Sequence, residues 1–193
     1  APQRFEIGAF ELTPTADEHQ RAVSNALEHI AAGDIFQVNL CARLEADFSG
    51  DPLDVFCVGV EKLRPAYAAY VSSPQGELVS FSPELFLRRI GEEVLTSPIK
   101  GTAPLSADPA ELLASAKNRA ENVMIVDLLR NDISKSCKAG SVRVTGLCEV
   151  ERFETVLHLV STVVGTLRDD CDVWDLLAGS FPGLMPVRAA NTS

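Results

Sequence analysis

Leu85-Phe86-Leu87-Arg88-Arg89-Ile90-Gly91-Glu92-Glu93-Val94-Leu95-Thr96-Ser97 reads as two short strands folded about Gly91, and Pro98-Ile99-Lys100-Gly101-Thr102 follows directly. Apolar runs of this length bounded by glycine are the mark of a hairpin. The hairpin places one lysine, held between a proline and a glycine, at the end of a strand. Its neighbours extend the pattern. Ala66 to Ser72 and Leu78 to Ser82 are strands turned by Gln75-Gly76, and Ser141 to Val150 and Leu157 to Leu167 are strands further on. Strands far apart in sequence and joined partly by hairpins predict an α+β class, with mixed or antiparallel sheets and helices packed outside.

The helices are read from apolar spacing and stop signals. Thr15-Ala16-Asp17 opens a helix that runs to Ala32, with Val23, Ala26, Leu27 and Ile30 on one face and Gly33 ending it. Asp51-Pro52 starts a second, to Leu63. One long helix is predicted from Pro109 to Ile133, burying Leu112, Leu113, Ala116, Ala120, Val123, Ile125, Leu128 and Leu129 and covered on most sides from Asn122 to Leu129. A short helix spans Asp172 to Ala178. Ile35 to Phe48 alternates apolar and polar residues and predicts one long half-buried strand. The tail from Gly183 has little pattern and is expected to be disordered.

Composition narrows the function classes. The 193 residues suit one good core, and the 46% hydrophobic and 23% charged content is that of an ordinary soluble chain. No apolar run approaches the ~20 residues of a membrane helix. With 17 basic and 27 acidic residues the net charge is -10, which argues against a nucleic-acid surface. An anionic substrate would need local positive charge or backbone N–H groups. The cysteines, Cys41, Cys57, Cys137, Cys148 and Cys171, include no C-x-x-C pair and are read as free thiols of a reducing cytoplasm.

Four residues carry candidate chemistry. Lys100 is a candidate nucleophile, but a free lysine has a pKa near ~10.4, so nucleophilic work needs desolvation or a cationic neighbour. Glu84, in Phe81-Ser82-Pro83-Glu84, lies across the hairpin and shares its sheet end. Glu121 enters the apolar half of the long helix, where a carboxylate could ligate Mg2+ or pair with Lys117 at i,i+4. Asp127 and Arg130 read as a structural ion pair. His158 sits in an apolar strand, where a satisfied core histidine and a ligand are both open readings.

In order along the chain stand Gly33-Asp34-Ile35-Phe36-Gln37-Val38-Asn39, Phe81-Ser82-Pro83-Glu84, Pro98-Ile99-Lys100-Gly101-Thr102, Arg119-Ala120-Glu121-Asn122 through Asp127-Leu128-Leu129-Arg130-Asn131-Asp132, His158-Leu159-Val160-Ser161-Thr162 and Ser180-Phe181-Pro182-Gly183. This set resembles the chorismate-utilising enzymes, over about residues 17 to 183. The resemblance implies an anthranilate synthase-like fold, with a lead-in over 1–16, a partial chorismate-binding domain over 17–183 and a divergent tail over 184–193. Lysine at position 100 resembles the aminodeoxychorismate synthase branch; anthranilate synthases usually carry alanine there.

That branch implies amination of chorismate to 4-amino-4-deoxychorismate, for para-aminobenzoate and folate synthesis. Lys100 would attack C2 of the ring and Glu84 would act as general acid. Glu121 would ligate Mg2+, and Gln37, Gly101, Thr102, His158 and Thr162 would line the substrate site. Gln37 stands where water-using relatives place a base lysine. A glutamine amidotransferase subunit or fused domain would supply ammonia. The chain departs from the family after Gly183, where Leu184-Met185-Pro186 replaces a second glycine and a Ser-Ile-Thr-Gly-Ala-Pro-Lys segment. Asn118 stands where many relatives carry an acidic residue. The departure after Gly183 resembles a truncation, so an incomplete fold and a non-catalytic chorismate-binding fragment form a second reading. Anthranilate synthase component I is a third.

Overall fold

The computed structural model describes residues 5–35 and 38–181. The chain divides into two compact units, one containing residues up to Val58 and the other Gly59–Leu184. The first holds β1 (Phe5–Ile7), β2 (Glu11–Thr13), α1 (Ala16–Ala32), β3 (Arg43–Glu45) and β4 (Phe48–Gly50), and α2 (Pro52–Leu63) begins within it. Strand β1 pairs with β4 and β2 with β3, both antiparallel. A capping box starts α1: Thr15 Oγ1 accepts from the Glu18 N–H, and Glu18 Oε2 accepts from the Thr15 N–H at 2.9 Å. Gly33, in the left-handed region, ends it.

The second unit carries β5 (Tyr67–Ser73), β6 (Gly76–Ser82), β7 (Leu85–Ile90), β8 (Glu93–Ser97), β9 (Ile99–Pro104), α3 (Pro109–Ala114), α4 (Ala116–Ser134), β10 (Arg143–Arg152), β11 (Val156–Thr166) and α5 (Val173–Ser180). Strands β5 and β6 form a hairpin of their own. The other five make one antiparallel sheet in the order β10-β11-β8-β7, with β9 also on β11. Strand β11 is long enough to take two partners end to end: β9 along Val156–Val160 and β8 along Val163–Thr166. Between them Pro98 breaks the ladder, because it has no N–H, yet its carbonyl still accepts from the Ser161 N–H at 3.1 Å.

Alternation along β11 divides the two faces of the sheet. Leu157 and Leu159 join Leu112 and Cys148 in one core cluster, while Val163 joins Val94, Val126, Ile133 and Leu176 in another. Helices α3, α4 and α5 therefore cover one face. Each fully buried leucine or isoleucine there contributes roughly 1.5–3 kcal/mol. His158, Val160 and Thr162 are the intervening residues of β11 and point to the opposite face.

Three expectations need correction. The continuous strand over 35–48 is absent among the described residues; only β3 and β4 form, each on a three-residue partner, and a strand extends only where a neighbour takes its backbone groups. The predicted single helix over 109–133 is two helices. Ser115 is extended (φ -64, ψ 103) and its hydroxyl accepts from the Asn118 N–H, so it caps α4 instead of continuing α3. The apolar stretch 122–129 is covered on one side only. Val123 and Met124 are 45% and 46% exposed, whereas Asn122 and Asp132 are buried with Ile125, Val126 and Leu129. The α1 stripe of Val23, Leu27 and Ile30 is likewise exposed.

All five cysteines are free; Cys41 and Cys57 are exposed despite lying in apolar runs, and Cys137 and Cys148 are buried. Burial pushes the Cys137 thiol above its ordinary value, and the neighbouring Cys171 adds to the rise. An aromatic disulfide reagent at neutral pH should therefore label Cys41 and Cys57 promptly, and Cys137 and Cys148 only after denaturant is added. Prompt labelling of Cys148 in the native chain would contradict the packing described. Because the unfolded thiol ionises first as pH rises past about 8.5, the Cys137 contribution to stability is lost on the alkaline side.

Candidate active site

Lys100 and Glu84 meet through Ile99, the first residue of β9. The Ser82 hydroxyl accepts from the Glu84 N–H at 3.3 Å and donates to the Glu84 carbonyl at 3.0 Å, which fixes the turn after β6. Glu84 Oε1 then accepts from the Ile99 N–H at 2.7 Å. The break at Pro98 gives this N–H to a side chain. The Lys100 ammonium, half-buried, donates to the Ile99 carbonyl at 2.9 Å. One residue, Ile99, thus holds the carboxylate by its N–H and the lysine by its C=O. The shared sheet end expected of the pair is present.

Gly101 is the point where β9 meets α4. Its φ is +93°, and a Cβ there would lie 3.0 Å from Asn118 Cβ and Cγ. Both the backbone conformation and the space call for glycine. Asn118 brings α4 against β9, and Glu121 follows one turn later on the same helix. Glu121 Oε1 is 4.0 Å from Lys117 Nζ, the i,i+4 pair that its spacing allows. Asp127 and Arg130 form the expected i,i+3 ion pair at 3.1 Å.

Thr102 on β9 faces His158 on β11 in register, and Thr102 Oγ1 is 3.0 Å from His158 Nδ1. The Phe153 ring stands edge-on to the imidazole, with centroids 4.8 Å apart and planes at 73°. Thr162 lies four residues along β11, opposite Gly146 of β10. Beside these residues a recess of about 90 Å3 is lined by Tyr67, Pro83, Leu85, Ile99, Phe153 and Val160, among others. Pro83 and Leu85 flank Glu84, and Ile99 precedes Lys100, so the recess adjoins both candidate groups.

The chain matches the family described as chorismate binding enzyme over residues 1–184. It belongs to the chorismate-binding enzyme family. It is 42% identical over 176 residues to aminodeoxychorismate synthase component 1 of Escherichia coli (strain K12), an alignment taking in 88% of this chain and 39% of that protein. It is 43% identical over 178 residues to anthranilate synthase component 1 of Arthrobacter globiformis, taking in 86% of this chain and 33% of that protein. The chain therefore spans about two fifths or less of the length of these curated relatives. Among solved structures, anthranilate synthase component I from Streptococcus pneumoniae TIGR4 is similar with a TM-score of 0.83 at 29% identity, covering 95% of this chain and 43% of that one. The putative 2,3-dihydroxybenzoate-specific isochorismate synthase DhbC from Bacillus anthracis shares the fold, with a TM-score of 0.76 at 24% identity over 94% of this chain and 52% of that one.

Within this chain the residues expected at the site fall into two groups. Lys100, Glu84, Gly101, Thr102 and His158 are brought together on and beside β9, with Thr162 further along β11 and Glu121 on the helix behind. Gln37 lies outside the described residues. The described residues contain no cluster of three or more His, Cys, Asp or Glu side chains able to hold a metal. Glu121 alone does not fit the oxygen shell that magnesium requires, so no step below is routed through a metal.

Sequence reading missed a buried polar chain. Asn122 Nδ2 donates to the Leu159 carbonyl at 3.0 Å, the Ser161 hydroxyl donates to Asn122 Oδ1, and the Cys148 N–H donates to Ser161 Oγ at 2.8 Å. It ties α4 to β11 and to the bulge of β10, where Cys148 has φ +55°. The signal was available: an asparagine and a serine, each inside an apolar run, satisfy one another when buried.

Proposed function

We propose that this chain carries the nucleophile and general acid of a chorismate amination site, with 4-amino-4-deoxychorismate as product. The single observation that carries the reading is the backbone of Ile99, whose N–H holds Glu84 at 2.7 Å and whose carbonyl holds Lys100 at 2.9 Å. With Oε1 taken by the Ile99 N–H, Oε2 of Glu84 is the oxygen left to carry and give a proton. Lysine at position 100 favours amination through a covalent step over direct attack.

The steps balance as follows. Lys100 gives one proton to solvent, and its amine adds to C2 of the ring. The ring double bonds shift, the C4–O bond breaks and Glu84 protonates the departing oxygen, which leaves as water. Ammonia then adds at C4 and the double bonds shift back. The C2–N bond breaks, and the lysine amine is regenerated while the spare proton on the new amine passes to the Glu84 carboxylate. Splitting one hard substitution in two is the gain from covalent attack. Chorismate is a dianion and the chain carries a net charge of -10, so protonated Lys100 offers the arriving substrate a positive charge, which it gives up with its proton before the amine attacks. Thr102, His158 and Thr162 line the substrate side, and a glutamine amidotransferase subunit or fused domain supplies ammonia.

The comparable similarity to anthranilate synthase component 1 of Arthrobacter globiformis keeps anthranilate formation as a competing reading. One assay separates them: purified chain, chorismate, magnesium and ammonium, with products resolved by chromatography. Aminodeoxychorismate is expected; anthranilate with pyruvate would replace amination by anthranilate formation, and no product would refute both in favour of the non-catalytic chorismate-binding fragment. Glu84→Gln should lower the amination rate by about 10²–10⁴-fold, the usual loss with a general acid. Unchanged turnover in that variant would remove Glu84 from the role.

A further inference from the structure

We infer that Phe153 is a positioning residue for His158, fixing the imidazole so that Nε2 is the nitrogen it presents to a ligand oxygen. The inference rests on the reading of His158 as a substrate contact. Phe153 follows β10, and its N–H donates to the Val156 carbonyl at 2.9 Å, closing the turn into β11. That turn sets the ring against His158 at 4.8 Å and 73°, the edge-to-face geometry that the ring quadrupole favours. Thr102 Oγ1 engages Nδ1 at 3.0 Å from the neighbouring strand. Among the described residues Nε2 has no hydrogen-bond partner.

One hydrogen bond to Nδ1 leaves the imidazole free to turn about the bond that joins it to the strand. A half-turn exchanges Nδ1 for a carbon and withdraws Nε2 from its position. A ring packed on the edge removes that freedom, so Thr102 selects the nitrogen and Phe153 selects the plane. Phe153 also lines the recess beside Glu84 and Ile99, which puts the presented nitrogen on the same side of the sheet as that recess. The sequence hid this pairing because Phe153 lies five residues from His158 across a turn, where neither helix nor strand spacing relates them.

The test is nitrogen NMR of the imidazoles in the full chain, which has three histidines and is assigned with His158→Gln. At alkaline pH, wild-type His158 should show two well-separated ring-nitrogen shifts, one protonated and one bare. Phe153→Leu and Phe153→Met, which keep apolar volume, should free the ring to leave Thr102 and let the proton exchange between the two nitrogens, narrowing that separation, as Thr102→Val should, and Phe153→Tyr should restore it. Circular dichroism and melting identify any variant that fails to fold, and the two aliphatic variants provide independent readings. Retained separation in a folded aliphatic variant, or averaged shifts in the wild type, would overturn the inference. These spectra need no substrate. Absence of product from the wild type refutes the proposed function and leaves the NMR result to decide the positioning role. Where the wild type turns over, Phe153→Leu should lower kcat/KM about tenfold, mainly through KM, with recovery in Phe153→Tyr.

Discussion

Lys100→Ala should lower aminodeoxychorismate formation by about a thousandfold, equivalent to roughly 4 kcal/mol of transition-state stabilisation. The substitution removes the amine that adds to C2 and leaves Glu84 in place, because Glu84 is held by the Ile99 backbone and not by the lysine. Lys100→Arg should not restore the rate, since a guanidinium stays protonated and cannot add to carbon. Neither change should disturb the fold. Lys100 is half-buried and donates to one carbonyl, a setting in which substitutions shift stability by about 0.5 kcal/mol or little more. The measurement is product formation by liquid chromatography with mass detection, beside melting curves. A loss of rate with an unchanged melting temperature supports the chemical role. An active Lys100→Ala chain would end it.

Asn122→Leu should cost about 3 kcal/mol. It strands the Leu159 carbonyl and the Ser161 hydroxyl proton, both buried, and each stranded group costs about 1–3 kcal/mol. In a chain of this size that lowers the melting temperature by roughly 6–12 °C. Ser161→Ala strands Asn122 Oδ1 and the Cys148 N–H instead, and should cost a similar amount. Cys148 already stands in the left-handed region, so loss of its hydrogen bond also releases a strained residue from its anchor. The double variant should lose less than the sum, because the two residues share one bond. Melting temperatures within about 2 °C of the wild type for both single variants would show that the chain of bonds does not clamp α4 to the sheet.

The hairpin and the site were legible for the same reason. From Leu85 to Thr102 the signals are local: apolar strands, Gly91 at the turn, Pro98 as a break and Gly101 before the threonine. The approach of Glu84 to Lys100 followed from hairpin geometry, since β7 and β8 fold back on each other and place the start of one beside the end of the other. Where tertiary partners decide, the sequence misleads. Alternation over 35–48 names a strand but not the neighbour that would pair with it. Helical spacing continues through Ser115, although its hydroxyl ends one helix and caps the next. Asn122 stands in an apolar run that invites a fully covered helix, yet it is the polar partner of Ser161 while Val123 and Met124 face outward. The Phe153 contact depends on a turn that carries no glycine or proline, and only the fold reveals it.

The covalent step can be observed without turnover. Incubation of the chain with chorismate in the absence of ammonia, followed by proteolysis and mass spectrometry, reads the state of Lys100 directly. The prediction is a mass gain equal to chorismate less one water on the peptide containing Lys100, absent from Lys100→Ala and discharged by added ammonium. An unmodified Lys100 in a chain that forms aminodeoxychorismate, or an adduct located on any other residue, would contradict the account.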